Sequence, residues 1–408
     1  MSKAEALVPK LRFPEFLDAE VWKKKTMGEV SEVIRGGSPR PIDGFLTSDA
    51  DGLNWLKIGD VHKEAKFVTM TSEKVRVEAL SKTRVVRPGD LILSNSMSFG
   101  RPYILQIKTC IHDGWIAITQ IINGIERDYL YYLVSAPSSQ TYFVDNAAGS
   151  GVLNLNAEII KALPLKFPSP PEQQKIADCL SSLDELVAAQ ARKVDALKTH
   201  KKGLMQQLFP REGKTQPRLR FPEFRDAGEW AVMKLRNVAE SLDNLRTPIT
   251  SSDRTPGATP YYGASGIVDY VSGFIFNEDL LCVSEDGANL VARTYPIAFP
   301  ISGETWVNNH AHVLRFESAS AQKFVEVYLN SIKLDDFITG MAQPKLNKAM
   351  LDSIPIPCPD AVEQKRIADC LTSLDTLITT ATQELDTLKT HKKGLMQQLF
   401  PSAQALEA

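Results

Sequence analysis

The sequence predicts an α+β protein organised as a pseudo-two-fold internal repeat. Two similar globular domains are each followed by a long helix, and the two helices pair as an antiparallel coiled coil. Three observations predict this. The thirteen residues KTHKKGLMQQLFP occupy Lys198–Pro210 and recur at Lys389–Pro401, 191 positions later (389 − 198). A second match, PKLRFPEFLDAEVW at Pro9–Trp22 and PRLRFPEFRDAGEW at Pro217–Trp230, recurs after 208 positions (217 − 9). The stretch before each thirteen-mer carries apolar residues at alternating steps of four and three, the seam of a coiled coil.

The offset of 191 holds through the aligned part of residues 171–210 and 361–401 and reaches back to place Asn156 on Asn347. The two offsets differ by 17 (208 − 191), so the second middle segment is 17 residues shorter than the first. Each repeat therefore has a shared opening, a divergent middle and a shared helical end. Solenoid repeats have periods of about 20–50 residues, so this is duplication of a whole domain with its helix. The expected limits are 1–170 for the first domain, 171–210 for its helix, 211–358 for the second domain, 359–401 for its helix and 402–408 for a tail.

The first seam runs through Ile176, Leu180, Leu183, Val187, Gln190, Val194, Leu197, Lys201, Leu204 and Leu208. The second runs through Ile367, Leu371, Leu374, Ile378, Ala381, Leu385, Leu388, Lys392, Leu395 and Leu399. Both falter at the same places, Gln190 with Ala381 and Lys201 with Lys392. Prolines followed by Glu172 and Glu363 suit helix starts, and Pro210 and Pro401 end the helices. About 38 residues at 1.5 Å each make a rod of roughly 57 Å. The alternative, core helices of two adjacent bundles, fits less well because so long an uncapped heptad run is unusual in a globular core. The Lys-Lys-Gly at the end of each helix costs helix stability. It suits a partner-binding end, a packing contact or a frayed solvated terminus.

Composition narrows the class. A chain of 408 residues allows two or three domains, and its 43% hydrophobic and 24% charged shares are those of a soluble globular protein. No apolar run reaches the roughly 18 residues of a membrane helix, and the opening MSKAEALVPKLRFPEF lacks a signal peptide's apolar core. A cytoplasmic protein is expected. Five scattered cysteines without a CxxC pair argue against a disulfide framework or a zinc site, and the equivalent Cys179 and Cys370 read as small buried hydrophobes. A net charge of −2 requires any nucleic-acid site to be a local patch.

The middles, about 23–155 and 231–345, read as short strands joined by polar loops, with helix near 127–136 and 321–331. Arginine, asparagine and serine on such loops are the groups that read base edges and phosphates. In the first domain these are Arg35, Ser38 and Arg40 of RGGSPRP, Lys57 of NWLKIGDV, and Ser94, Asn95, Ser96 and Arg101 of SNSMSFGR. In the second they are Arg246 and Thr247 of DNLRTP, Tyr261, Tyr262 and Ser265 of YYGASG, Asn289 and Arg293 of EDGANLVAR, and Asn309 and His310 of VNNHAH. Any single one suits an ordinary surface loop; the signal is collective.

Catalytic motifs fail one by one. REGKT (211–215) has the end of a phosphate loop without its leading glycine. AAGSGV (147–152) lacks a strand–helix unit with a downstream acid. PDAVEQK (359–365) mimics a nuclease pattern, but its carboxylates are too closely spaced and sit at a helix start. There is no Asn-Pro-Pro-aromatic motif. His310 and His312 have no third ligand, so no metal site is expected.

Two divergent domains on a shared frame, each opening LRFPEF…W and closing EQxxIADCL…KKGLMQQLFP, resemble the DNA-specificity (S) subunits of type I restriction-modification enzymes. YYGASGIVDYV, GDLILSNS, VNNHAHVL and QPKLNKAML look like stretches of that family's target-recognition domains, although the first domain has NWLKIGDV in place of YYGASG. The resemblance implies that each domain reads one half of a split, asymmetric DNA site and that the coiled coil sets the gap. It also implies that two methyltransferase subunits holding S-adenosylmethionine dock on the helices, joined by motor-endonuclease subunits using ATP and magnesium. This chain itself would bind no cofactor and catalyse nothing. The competing readings are a coiled-coil scaffold displaying two protein-binding domains, and an enzyme with an unrecognised nuclease site.

Overall fold

A computed structural model describes residues 9–95, 99–147, 154–211, 213–340 and 343–401. Ser96, most of the AAGSGV stretch and the tail 402–408 lie outside them. The long helices are Pro170–Leu208 and Ala361–Leu399, 39 residues each. The chain falls into two compact units, and the division cuts through both helices. Unit one runs to Gln190 and resumes at Glu384, while unit two is Ala191–Gln383. The expected limits treated each helix as a spacer of its own. By its internal contacts, each unit takes the start of one helix and the end of the other.

In unit one the central sheet has the strand order Glu32–Arg35, Trp115–Thr119, Leu91–Ser94, Pro102–Leu105, Phe67–Val68. Its three middle strands are buried throughout. Side chains alternate between the faces of a strand, and here both faces are covered. Leu91, Leu93, Ile104, Ile116 and Ile118 join a core with the helices. Ile92, Tyr103, Leu105, Trp115 and Ala117 join a second core with Leu56, Val68, Val86 and Ile111. The last group belongs mainly to a second five-stranded sheet, ordered Leu46–Thr47, Glu73–Val75, Leu53–Leu56, Thr109–Ile111, Arg84–Val86.

Unit two repeats this plan with fewer strands. Its central sheet is ordered Glu240–Ser241, Ala311–Arg315, Leu280–Ser284, Ala298–Ile301. Leu281, Val283 and Leu314 face the helical core, and Leu280, Cys282 and Val313 face the other way. Its second sheet is ordered Gly266–Val271, Pro256–Gly263, Glu304–Val307, Phe276–Asn277. The two middles diverge in sequence yet correspond here: Leu53–Leu56 lies parallel to Thr109–Ile111, as Pro256–Gly263 lies parallel to Glu304–Val307. NWLKIGDV and YYGASG therefore begin on equivalent strands.

The repeated segments assemble one frame in each unit. Arg12 grips Glu172 with two hydrogen bonds (Nε to Oε1 2.8 Å, Nη2 to Oε2 2.7 Å), and Arg220 grips Glu363 in the same way (2.7 and 2.6 Å). Both carboxylates are 1% exposed, so each needs its planar guanidinium fork. This also accounts for the nuclease-like PDAVEQK, because Glu363 is held by Arg220 and Asp360 caps the Glu363 N–H. The same opening segment donates Leu11 N–H to Gln398 O (3.0 Å) and Leu219 N–H to Gln207 O (2.9 Å). Asn156 and Asn347 cap equivalent short helices, accepting from Ile159 N–H and Met350 N–H.

Every seam position of both helices is buried or half-buried. In unit one, Asp184 binds Lys392 and Gln190 donates to Glu384 Oε2 at 2.8 Å. The pairing descends one helix as it climbs the other, so the helices are antiparallel. In unit two, Lys201 binds Asp375. The lysines that interrupt the seam thus reach carboxylates, Asp184 and Asp375, that are themselves equivalent. The thirteen-mers end inside cores: Met396, Leu399 and Phe400 in unit one, Leu208 and Phe209 in unit two. Of the three readings of this segment, its tail takes the packing contact. Cys179 and Cys370 are half-buried rather than buried, whereas burial pushes the Cys110 and Cys358 thiols up to about 11.

Phe400 packs its ring 5.6 Å from Tyr129 in unit one. Phe400→Ala should therefore cost about 3–5 kcal/mol. Hydrogen exchange should show lost protection in Arg127–Ser135 rather than in the domain that immediately precedes Phe400 in sequence.

Candidate nucleic-acid interface

Three loops meet at one end of the central sheet in unit one. They leave Glu32–Arg35, leave Leu91–Ser94, and turn at 112–114 into Trp115–Thr119. Asn95 N–H donates to Gly114 O (3.0 Å) and Leu155 N–H donates to Asn95 O (2.9 Å). Unit two has the same pair of bonds, Glu285 N–H to His310 O (2.9 Å) and Leu346 N–H to Glu285 O (2.8 Å). One backbone frame thus presents different side chains at the same place in each domain.

In the first domain the candidates converge on Asp113, a residue the sequence reading passed over. Ser38 Oγ donates to Asp113 Oδ1 (2.8 Å) and Arg40 Nη2 to Asp113 Oδ2 (3.1 Å). Arg35 Nε and Asn95 Nδ2 donate to the Asp113 carbonyl (3.1 and 3.0 Å). The Ser38 hydroxyl, aided by His112 and Arg40, holds the Asp113 carboxyl below its ordinary range. His112, whose Nδ1 accepts from Gly114 N–H at 2.7 Å, is pushed down by burial. Lys57 lies beside this cluster and pairs with Glu73 at 2.6 Å. Arg101 is exposed and stands apart from the Asp113 bonds.

Burial removes several candidates from the surface. Ser94 is fully buried and Asn95 nearly so. Tyr261 is buried, with its hydroxyl on the backbone of Ile249. Asn289 is buried and organises its own turn, accepting from Thr294 and Tyr295 and donating to Tyr295 O. Arg293, at φ 51°, donates to the Leu329 and Ile332 carbonyls. Arg246 is locked by Asp243, Glu285 and the Ala311 carbonyl. These are polar groups that folding must satisfy internally. Thr247, Ser265, Asn309 and His310 remain exposed, and Tyr262 is half-buried, stacked on Phe299. Ser265 contacts Tyr295 (3.0 Å) and His310 contacts Asp286 (2.7 Å).

Beneath this edge of the second domain lies an ion network. His312, fully buried, sets Nδ1 against Asp243 (2.6 Å) and Nε2 against Leu346 O (2.7 Å). Burial works to raise the Asp243 carboxyl, but His312, the Val313 N–H and Arg246 outweigh it and hold it below its ordinary range. Glu285 is held down similarly, by Arg246, His312 and Lys345 against burial. Among the described residues, no three His, Cys, Asp or Glu side chains are grouped to hold a metal ion. No helix among them is long and apolar enough to cross a membrane.

Comparison with known proteins matches residues 19–199 and 227–390 to the model of the type I restriction modification DNA specificity domain, once per repeat. The chain belongs to that family. A type I restriction enzyme specificity subunit of Methanocaldococcus jannaschii, MjaVIII, is 24% identical over 93% of this chain and 92% of its own length. A candidate specificity subunit of Haemophilus influenzae is 36% identical over a shorter stretch, 36% of this chain and 38% of its own. The crystal structure of the S subunit of a type I restriction-modification system from M. genitalium superposes with a TM-score of 0.60 at 16% identity, over 97% of this chain and 99% of that one. At that identity the likeness is one of fold.

The Asp243 shift has a pH signature. Its folded-state value is depressed, so its contribution is present above the unfolded value near 3.8 and lost as pH falls through the folded one. Asp243→Asn should destabilise the chain at pH 7, by about 3–5 kcal/mol for a broken buried pair. The gap between variant and wild type should narrow below pH 4 in denaturant titrations.

Proposed function

We propose that this chain is the sequence-specific DNA-binding subunit of a type I restriction-modification complex. Each domain reads one half of a bipartite, asymmetric site, and the paired helices set the gap and dock two methyltransferase subunits. S-adenosylmethionine, ATP and magnesium are carried by the methyltransferase and motor-endonuclease partners, and this chain supplies recognition rather than catalysis. One observation carries the reading. In both domains the loops meet at the same end of an equivalent sheet, on an equivalent backbone frame, with different side chains at the tip. That is what reading two different half-sites with one fold requires. Gly203 and Gly394 add support for docking. Each has open space where a Cβ would stand, so this chain's own packing does not require glycine there.

The test is a methylome. The chain is co-expressed with its cognate methyltransferase in an unmethylated host, and modified adenines are mapped by single-molecule sequencing. One split motif, methylated on both strands and lost when this chain is omitted, is the expected result. Exchanging residues 23–155 for the corresponding segment of another family member should change one half of it. No new methylation from a soluble, associated pair would sink the reading and favour a scaffold.

The gap offers a second check. Inserting one heptad after Gln190 and one after Ala381 should lengthen the spacer between unchanged half-sites. The same sequencing reads the outcome, and an unaltered spacer would count against the helices as a ruler.

A further inference from the structure

We infer that the first domain reads guanine through Arg35 and Arg40, that Asp113 is the positioning residue that aims both, and that the second domain reads its half-site without a guanidinium. The inference rests on the DNA-recognition reading above and deepens it to the base and the residue.

The geometry of Asp113 is the starting point. Arg35 spends only Nε on it, bonding the carbonyl at 3.1 Å, which leaves both terminal nitrogens. Arg40 spends one N–H of Nη2, bonding the carboxylate at 3.1 Å, and the other N–H of Nη2 still lies beside an N–H of Nε or Nη1. Each arginine thus keeps two adjacent N–H-bearing nitrogens, the pattern that matches O6 and N7 of guanine in the major groove. The Arg40 side chain is 81% exposed although one end is tethered. A long, free guanidinium loses much rotamer entropy on binding; one already tethered loses less. Ser38 and Asn95 complete the buttress, the first holding the Asp113 carboxylate and the second its carbonyl.

A phosphate contact is the rival use for these arginines. The carboxylate argues against it. A phosphate brought to this cluster would meet an anion beside the guanidinium, whereas a base edge carries no net charge.

The second domain is built differently at the equivalent place. Its loop arginines are consumed internally: Arg246 by Asp243 and Glu285, Arg293 by two backbone carbonyls, and Arg254 by Asp269, the Ile249 carbonyl and the Tyr261 ring. The turn equivalent to 112–114 offers Asn309 and His310 instead, both exposed. An asparagine amide matches N6 and N7 of adenine.

The experiment uses the complex of the full chain with its methyltransferase, on duplexes carrying the mapped motif. Guanines in each half are replaced singly by 7-deazaguanine, which lacks the N7 acceptor. In one half-site, at least one replacement should weaken wild-type binding about 10- to 150-fold, the range of one lost hydrogen bond to a charged group. Arg40→Ala or Arg35→Ala should cause a similar loss on the unmodified duplex and little further loss on the modified one. Arg→Lys should not rescue. Asp113→Asn should relax the same guanine position in the methylome and leave the other half-site unchanged, which a general loss of folding would not do; Asp113→Glu should restore part of the discrimination. The half-site relaxed by these variants should be the one changed by exchange of residues 23–155.

A wild-type motif whose two halves both tolerate 7-deazaguanine would overturn the inference while leaving the subunit's role intact. So would arginine variants that weaken all duplexes uniformly, and sensitivity confined to the half-site that survives the domain exchange. Absence of any split motif from the wild-type complex would overturn the underlying reading itself.

Discussion

The rest of the molecule depends on how each hydrophobic core is closed. Met396, Leu399 and Phe400 lie in the core that also holds Trp22, Tyr129 and Ile176. Leu208 and Phe209 lie in the core that holds Trp230, Phe324 and Ile367. Neither repeat contains its own closing residues. The helix that leaves a domain cannot turn back to seal it, so the seal comes from the end of the other helix. This accounts for the repetition of the apolar end of the thirteen-mer. A tail that must fit a core beside the same Arg–Glu clamp and the same LRFPEF turn has little freedom to vary, and the two copies face the same requirement.

The same constraint frees the middles. The central sheet of each unit is sandwiched, with one face on the helical core and the other on a second sheet. The helix-facing side chains are tied to the repeated frame. The far layer is five-stranded in one unit and four-stranded in the other without disturbing that frame.

The architecture was legible in the sequence because it is periodic or repeated. The heptad seam, the Asn156 and Asn347 caps and the paired openings each announce themselves by recurrence. The candidate site was legible only as a set of loops. Asn289, Arg246 and Arg293 carry the residue types of a reading surface, yet their partners are backbone groups and carboxylates brought together by folding, so their polarity is spent inside. Asp113 was missed for the converse reason. An aspartate in a tight turn is unremarkable locally, and its role comes from Ser38 and Arg40, more than 70 positions away. The pairing of Arg12 with Glu172, 160 positions apart, was hidden in the same way. Repetition marks which residues recur; which of them touch across a long loop leaves no such trace.

The placement of Phe400 also sets an order of events during synthesis. The first domain leaves the ribosome with its core unsealed, and its closing residues are made only after the second domain has been synthesised. At about 5–20 residues per second, the roughly 190 residues between Leu208 and Phe400 take on the order of 10–40 s to translate. The second domain meets its own seal, Leu208 and Phe209, before the rest of it has emerged. The two repeats are therefore made unequally, one waiting for the end of a distant helix and the other built onto a turn already in place.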